Sequence, residues 1–597
     1  MNIIYTLTTV LILVLHILIY KKEEKENIIK WIAISIMLLF CYNICISVIM
    51  SLIHIPINLL SLTIINIIIL LLLSIKIYKN KKIQKYTINK IDIIGIIIFS
   101  LITLIVVIKE YGIPLNMNNS ITDGAVHYFA ADEFYKSSKL LDKNSETFNF
   151  WNFSTFMPGA YINTGILFKM FSGIIDEIYF CKLYLILNVF FWYLSGILMY
   201  VLLSKDKKQE KQKILPLIFS LVYMLAYPLN SLIAGFSYLS LALNFIITIL
   251  IVTQLEINNY YKYVIMFLLN FGLFFSYYYF LPVVYVALFL QIIIDAKKNK
   301  NKIFAKENIV NVIYTLLFPG LFGLMYFEIF PLITASQNPI SETVVVLGIK
   351  GSIYSNFITN ILIFLVLSIC QIIYNLKNKK TNISETMLIL NLIFLTIIFI
   401  GMKSNIVSSY YYYKLYYLIW IFVLIVGYNM IETIISKRKI TKIVAYILTT
   451  IYCLGIIIAM CFNKNFIFFD IYKENRNNLN SEIKIIYEEE LEVIKYYNEN
   501  INIDKHKDSK TYFCVTPYEA ARAYWIYALT KNPFDYIDVS YGEYAYDLKW
   551  FIESENNYAV IFKEDYFGNF DEIDKEIEKE DVKILFRNKM GIILEKN

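Results

Sequence analysis

The sequence predicts an α-helical polytopic membrane protein carrying a C-terminal extracytoplasmic α/β domain. Three observations carry that reading. The first is composition: 58% of the 597 residues are hydrophobic, only 17% are charged, and mean hydropathy is +0.56. A soluble chain of this length needs far more charge to cover its surface. The second is recurrence. Apolar runs of about 18 residues or more, the length that crosses a ~30 Å hydrocarbon layer, repeat along the first three quarters of the chain. The third is a charge asymmetry. From residue 464 onward 18 Lys and Arg face 27 Asp and Glu, a balance of −9, whereas the preceding part holds 37 against 21, or +16. A basic membrane part and an acidic tail belong in different compartments.

Taken in order, spans are expected at 2–20, 28–54, 56–78, 91–109, 177–203, 214–231, 235–255, 262–277, 279–295, 308–331, 353–376, 384–402, 411–433 and 443–462, about fourteen in all. The first lacks a basic start and a small-residue cleavage site, so it reads as a retained span and not a signal peptide. Six basic links, at 21–26, 79–85, 205–213, 297–302, 377–380 and 437–442, then fall on one side, which the positive-inside rule makes cytoplasmic. The 110–176 loop, the 332–352 loop and the tail fall on the other. The expected organisation is therefore N-terminal transmembrane helices (1–90), a transmembrane module with a long external loop (91–462), and an external domain (463–597).

The tail alternates helical and extended patterns. Residues 487–500, 517–530 and 571–580 read as helices, and 510–515, 558–563 and 582–587 as strands, which suggests a small α/β domain. It holds no Gly-rich phosphate loop and no repeat period. The seven cysteines form no CxxC pair and lie mostly in apolar runs, which argues against a disulfide framework, a zinc site or a redox motif.

Candidate chemistry concentrates in the long loop, in the run ITDGAVHYFAADEFYKSSKLL. Asp123 and His127 are four apart, so on a helix they share a face. They can pair as base and orienting partner, or bind a divalent cation such as Mg or Mn. Asp132 falls about 180° round the helix from Asp123, and Glu133 is nearer the Asp123 face though offset. Of the four histidines, His16 and His54 lie in spans and His506 in a Lys/Asp-rich linker, which leaves His127 beside the clustered acids. The stretch 150–173, opened by a Met157-Pro158-Gly159 turn, is too short and too polar to span, and it reads as an interfacial helix lying on the bilayer.

Toward the outer ends of later spans, Lys414 in SSYYYYKLYYLIW and Glu328 in MYFEIFP are ionisable residues at the edge of apolar segments. Such residues are costly unless they snorkel, pair or serve a ligand. Lys414 is the candidate phosphate contact, with a structural Glu328–Lys414 pair as the rival explanation. Arg522 in the tail also offers a phosphate contact, though an Arg in a surface helix is ordinarily solvated. Tyr277–Phe280 and Tyr410–Tyr413, including Tyr411, can line a sugar site or simply form an interface belt.

An Asp-x3-His in the first large external loop, followed by a Pro-Gly turn and an interfacial helix, resembles the GT-C superfamily of membrane glycosyltransferases. The resemblance extends from about the fourth span to the C-terminus and lies in topology and position more than in long motifs. Two departures are plain: the Asp132-Glu133 pair comes nine residues after the leading Asp, and three spans precede the module. The resemblance implies transfer of a sugar from a polyprenyl-phosphate-linked donor to a cell-envelope glycan, lipid or protein acceptor on the extracytoplasmic face. By position, the catalytic role of the superfamily's loop Asp maps onto Asp123. The implied partners are the lipid-linked donor, that acceptor and membrane lipids, with no nucleic acid. Two other functions fit the same outline, a transporter or flippase of lipid-linked sugars and a polysaccharide polymerase or ligase.

Overall fold

The computed structural model describes all residues except 20–25, 81–84, 119–122, 141–156, 206, 208, 299–302, 330–356, 379, 381, 405, 408, 438, 463–468, 481–483, 503–510, 515–519, 531–547, 567 and 568. The expected 332–352 loop and residues 150–156 lie outside the described residues. Among those described, eleven helical segments are long and apolar enough to cross a membrane. One of them, Asn259–Lys298, contains two of the expected spans, joined through the tight turn Tyr278–Phe280. Two shorter apolar helices, Asn2–Leu18 and Ser237–Thr253, lie where the remaining two spans were expected. The chain is a multi-pass helical membrane protein with a small C-terminal sheet.

The helices follow the apolar runs closely. In chain order they are α1 (Asn2–Ile19), α2 (Ile28–Leu52), α3 (Leu59–Asn80), α4 (Lys90–Tyr111), α5 (Asp123–Ser137), α6 (Gly159–Phe171), α7 (Phe180–Leu203), α8 (Ile214–Met224), α9 (Tyr227–Ile233), α10 (Ser237–Thr253), α11 (Asn259–Tyr277) and α12 (Leu281–Lys298). There follow α13 (Lys306–Val312), α14 (Phe318–Leu324), α15 (Phe357–Lys377), α16 (Ile383–Lys403), α17 (Ser409–Lys437) and α18 (Lys439–Cys461). The expected 214–231 span breaks into α8 and α9 because Pro228 has no N–H to give to the Met224 carbonyl. That carbonyl instead accepts from Trp192 Nε1 at 2.9 Å, the Leu225 carbonyl accepts from Asn475 at 2.9 Å, and the Ala226 carbonyl accepts from Asn475 at 2.8 Å as well as from the Asn230 N–H. Around Pro319 the 308–331 span distorts likewise, with π-helical turns at Ile313–Leu317 and Met325–Ile329 on either side of α14.

Two loop helices depart from expectation. α6 does not lie on the bilayer: ten of its residues are buried, and it is wedged among α5, α2, α7 and α11. Glycines allow this fit. A Cβ on Gly165 would stand 2.8 Å from the Ala131 carbonyl of α5, and one on Gly159 would stand 2.9 Å from the Phe275 carbonyl of α11. α5 is equally enclosed, with Gly124 to Asp132 buried without a break, so its acids do not simply solvate a surface helix. Lys169 of α6 closes its C-terminus, donating to the Tyr135 carbonyl and to Ser138 Oγ at 2.5 and 2.8 Å. Burial lowers the Lys169 ammonium to about 8.

The tail adds α19 (Asp470–Leu479), α20 (Glu488–Asn500), α21 (Ala520–Thr530), α22 (Leu548–Glu553) and α23 (Ile573–Ile577). Strands β1 (Glu26–Asn27) and β2 (Tyr86–Thr87) form a small pair at the other end of the bundle. In the tail, β3 (Thr511–Cys514), β4 (Tyr558–Phe562), β5 (Val582–Arg587) and β6 (Gly591–Lys596) form a sheet of order β3-β4-β6-β5. β3 pairs parallel to β4, and the other two pairings are antiparallel. β6, a buried central strand, was not expected from the sequence. The expected 571–580 helix shrinks to the 3₁₀ turn Phe570–Glu572 and α23.

Loop and tail share one end of the bundle. Met117 exchanges backbone hydrogen bonds of 2.7 and 3.0 Å with Ile485 and Ile486, Lys182 pairs with Glu488 at 2.7 Å, and Lys495 pairs with Asp176 at 2.6 Å. The opposite end carries β1 and β2 and a buried pair, Lys213–Asp92, at 2.8 Å. Asp92 there also accepts from Tyr200 at 2.6 Å and Asn27 at 2.9 Å, which satisfies the desolvated charge.

Candidate functional site

The site forms where the start of α5 meets the N-terminal ends of α10 and α17. Asp123 is the first residue of α5 and is half-buried, and His127, one turn on, is buried. The His127 ring packs 4.8 Å from Tyr238 of α10, whose hydroxyl shares a 2.8 Å hydrogen bond with Tyr410 of α17. One turn further along α17 stands Lys414, fully buried. Its Nζ lies 2.9 Å from the Phe236 ring centroid, 4.8 Å from Tyr410, 5.5 Å from Tyr238 and 5.8 Å from Tyr417. Rings stabilise a cation through their faces. They accept no conventional hydrogen bond, and Nζ has no hydrogen-bond partner among the described residues.

Electrostatics tie the three ionisable groups together. Burial raises the Asp123 carboxyl above the usual carboxylate range, and the nearby Lys414 ammonium partly opposes that shift. Burial pushes His127 down to about 3, and Lys414 adds to the depression. The imidazole is therefore neutral at neutral pH. Tyr184 of α7 also lies within electrostatic reach of Asp123.

The other expected residues are placed differently. Asp132 pairs with Lys136 at 3.2 Å, away from Lys414, and Glu133 is half-buried on the same helix. The Tyr411 carbonyl accepts from Tyr279 at 3.1 Å and its ring packs 5.2 Å away, so both aromatic clusters border the site. Glu328 is not part of it. No ion pair joins Glu328 to Lys414 among the described residues, so the structural-pair explanation of Lys414 does not hold. Arg522 is neither solvated nor available for a phosphate: it is buried and bound to Glu490 at 2.5 Å and Asp565 at 2.7 Å. Both carboxylates are sealed with it, and their charges consume the guanidinium.

Sequence reasoning missed Phe236, Tyr238 and the Tyr417–Asn230 hydrogen bond of 2.6 Å that fixes the cage floor. The available signal was Gly235, whose φ of 72° makes a sharp turn that only glycine adopts freely, immediately ahead of two aromatics. For a divalent cation, Asp123 and His127 offer two donors. Among the described residues no cluster of three or more His, Cys, Asp or Glu exists, and the Lys414 ammonium competes for the same carboxylate. The described residues alone do not fit a divalent ion.

No family model and no curated protein matches this chain. Among solved structures it is similar to the apo oligosaccharyltransferase of Archaeoglobus fulgidus at 12% identity and a TM-score of 0.46, with 79% of this chain and 69% of that one covered. It is also similar to ArnT from Cupriavidus metallidurans bound to undecaprenyl phosphate, at 9% identity and a TM-score of 0.42, with 84% of this chain and 97% of that one covered.

Proposed function

We propose that this protein is an integral-membrane glycosyltransferase. In this reading it transfers a sugar from a polyprenyl-phosphate-linked donor to a hydroxyl of a cell-envelope glycan, lipid or protein on the extracytoplasmic face. One observation supports it above the others: a loop carboxylate and a buried, caged ammonium, far apart in sequence, share one electrostatic site.

The arrangement suits displacement at an anomeric carbon. Asp123, whose raised affinity for protons brings it nearer the working pH, accepts the proton of the acceptor hydroxyl as the new C–O bond forms. The bond from the anomeric carbon to the phosphate oxygen breaks, and the departing charge develops where Lys414 already sits desolvated, so little reorganisation is needed. Neutral His127 holds the acceptor or the carboxylate without adding a competing cation. Tyr410, Tyr411 and Tyr277–Phe280 give the sugar an aromatic wall.

The test is sugar transfer by the purified protein from a polyprenyl-phosphate-sugar to a hydroxyl acceptor. Asp123→Asn keeps the size and removes the base, so the rate should fall on the order of 10²–10⁴-fold with donor affinity retained. A near-wild-type rate in that variant removes Asp123 from the reaction.

A further inference from the structure

Two of the four rings around Lys414 are held by the short helix α9. Its Asn230 accepts the Tyr417 hydroxyl at 2.6 Å. The next residue, Ser231, takes the Phe236 N–H on its carbonyl at 2.9 Å, and its hydroxyl donates to the Phe236 carbonyl at 3.1 Å. Tyr227, the first residue of α9, packs its ring 5.5 Å from Tyr417. All seven residues of α9 are buried. Seven residues make about two turns, far below the ~12–15 residues at which a helix becomes marginally stable alone, so the position of α9 is set by what grips its ends.

At its C-terminal end α9 runs through the Gly235 turn into α10. At its N-terminal end, directly on the break made by Pro228, the grip comes from the tail. Asn475 of α19 is fully buried, and its carboxamide has two N–H donors and no charge. It gives one to the Leu225 carbonyl at 2.9 Å and one to the Ala226 carbonyl at 2.8 Å. The Ala226 oxygen also accepts the Asn230 N–H at 3.1 Å, so one atom joins the tail to the residue that holds Tyr417. A continuous path, Asn475–Ala226–Asn230–Tyr417, thus reaches a ring 5.8 Å from Lys414 Nζ. Tyr472, one turn earlier on α19, donates to the Val222 carbonyl at 3.0 Å, on the α8 side of the break and outside that path. From this geometry we infer that Asn475 is a positioning residue for the Lys414 cage: by gripping α9, the C-terminal tail sets how tightly the cage holds the phosphate of a lipid-linked donor. The inference rests on the proposed phosphate role of Lys414 and adds the tail as its support, since a binding group is held in place by the shell behind it.

The test is a binding cycle on the purified full-length protein, with polyprenyl monophosphate as the probe and thermal unfolding recorded for every variant. Asn475→Leu keeps the side-chain length and removes both donors, and its dissociation constant should rise about fivefold, roughly what one lost hydrogen bond is worth. Tyr417→Phe should do the same. Because both cut one path, the double variant should again lose about fivefold, and not the roughly 25-fold of two independent sites. Tyr472→Phe loosens the same tail helix but leaves the path whole, so it should lower the unfolding temperature and keep the affinity within about twofold. That contrast separates positioning from a general loss of stability. Unchanged affinity in Asn475→Leu, in a protein whose affinity Lys414→Met does weaken, overturns the inference and leaves the phosphate role standing. Multiplying effects in the double variant, or an equal loss in Tyr472→Phe, overturn it as well. If the wild type does not bind the probe, or Lys414→Met binds it unchanged, the phosphate role fails and the inference falls with it.

Discussion

Arg522 provides the most quantitative test of how the tail supports the site. Its guanidinium donates through Nε to Asp565 at 2.7 Å, through Nη1 and Nη2 to Glu490 at 3.1 and 2.5 Å, and through Nη1 to the Ile485 carbonyl. All three side chains are sealed from solvent. Arg522→Met keeps the length and apolar bulk but leaves two carboxylates buried without their cation. Breaking a buried pair in this way costs about 3–5 kcal/mol, against ~0–1 kcal/mol for exposed pairs such as Lys549–Glu553. Because burial already raises the Glu490 carboxyl, with Arg522 opposing, losing the arginine raises it further. Protonation then relieves the defect, so the destabilisation should shrink as pH falls. The triple change Arg522→Met, Glu490→Gln and Asp565→Asn should recover most of the loss. Chemical denaturation in detergent, followed by tryptophan fluorescence, reads these differences, since Trp525 of α21 packs 5.4 Å from Tyr128 of α5. A loss under about 1 kcal/mol for the single variant, or a triple variant no better than the single, would refute the reasoning.

Other predictions follow from the same contacts. His127 is held at about 3, below its unfolded value of ~6.5, so the unfolded chain binds the extra proton. Its contribution to stability is full above pH ~6.5 and is lost at about 1.4 kcal/mol per pH unit as pH falls toward 3, a slope that His127→Gln should remove. Glu474 has the opposite sign: burial, then Asp470, raises it to about 7, so its contribution is full below its ordinary value and fades as pH rises through 7. Glu474→Gln should flatten that part of the same pH titration. Gly165→Val places a branched side chain against the Ala131 carbonyl, and thermal unfolding should show a loss of about 1–3 kcal/mol along with reduced transfer.

The helical trunk was legible because span length and charge links are set by the bilayer itself, a constraint that acts on each segment separately. What the sequence hid depends on contacts between segments. Arg522 read as a solvated helix residue because Glu490 and Asp565 are distant in the chain and only the folded tail brings them to it. α6 read as an interfacial helix because the 150–173 stretch, with polar groups such as Asn163 and Lys169 in it, is too short and too polar to span. In the fold those groups are satisfied internally, Asn163 bonding Asn43 at 3.0 Å and Lys169 closing α5. β6 was missed because GIILEK is a short apolar run whose extended form is imposed by β4 and β5 on either side. In the candidate site, Asp123, His127 and Lys414 stood out as ionisable residues beside apolar spans. The cage rings Phe236 and Tyr238 did not, because aromatic residues abound at the edges of every span.

The central claim is that Lys414 waits in its aromatic cage for the phosphate of a lipid-linked donor. Binding of a polyprenyl monophosphate to the purified wild-type protein and to Lys414→Met tests it directly. Lys414 has no hydrogen-bond partner among the described residues, so the variant should melt at or above the wild-type temperature. Its affinity for the lipid phosphate should nevertheless fall at least about tenfold, the loss expected for a desolvated charge-assisted contact. An unchanged affinity in a normally folded Lys414→Met protein would contradict the account.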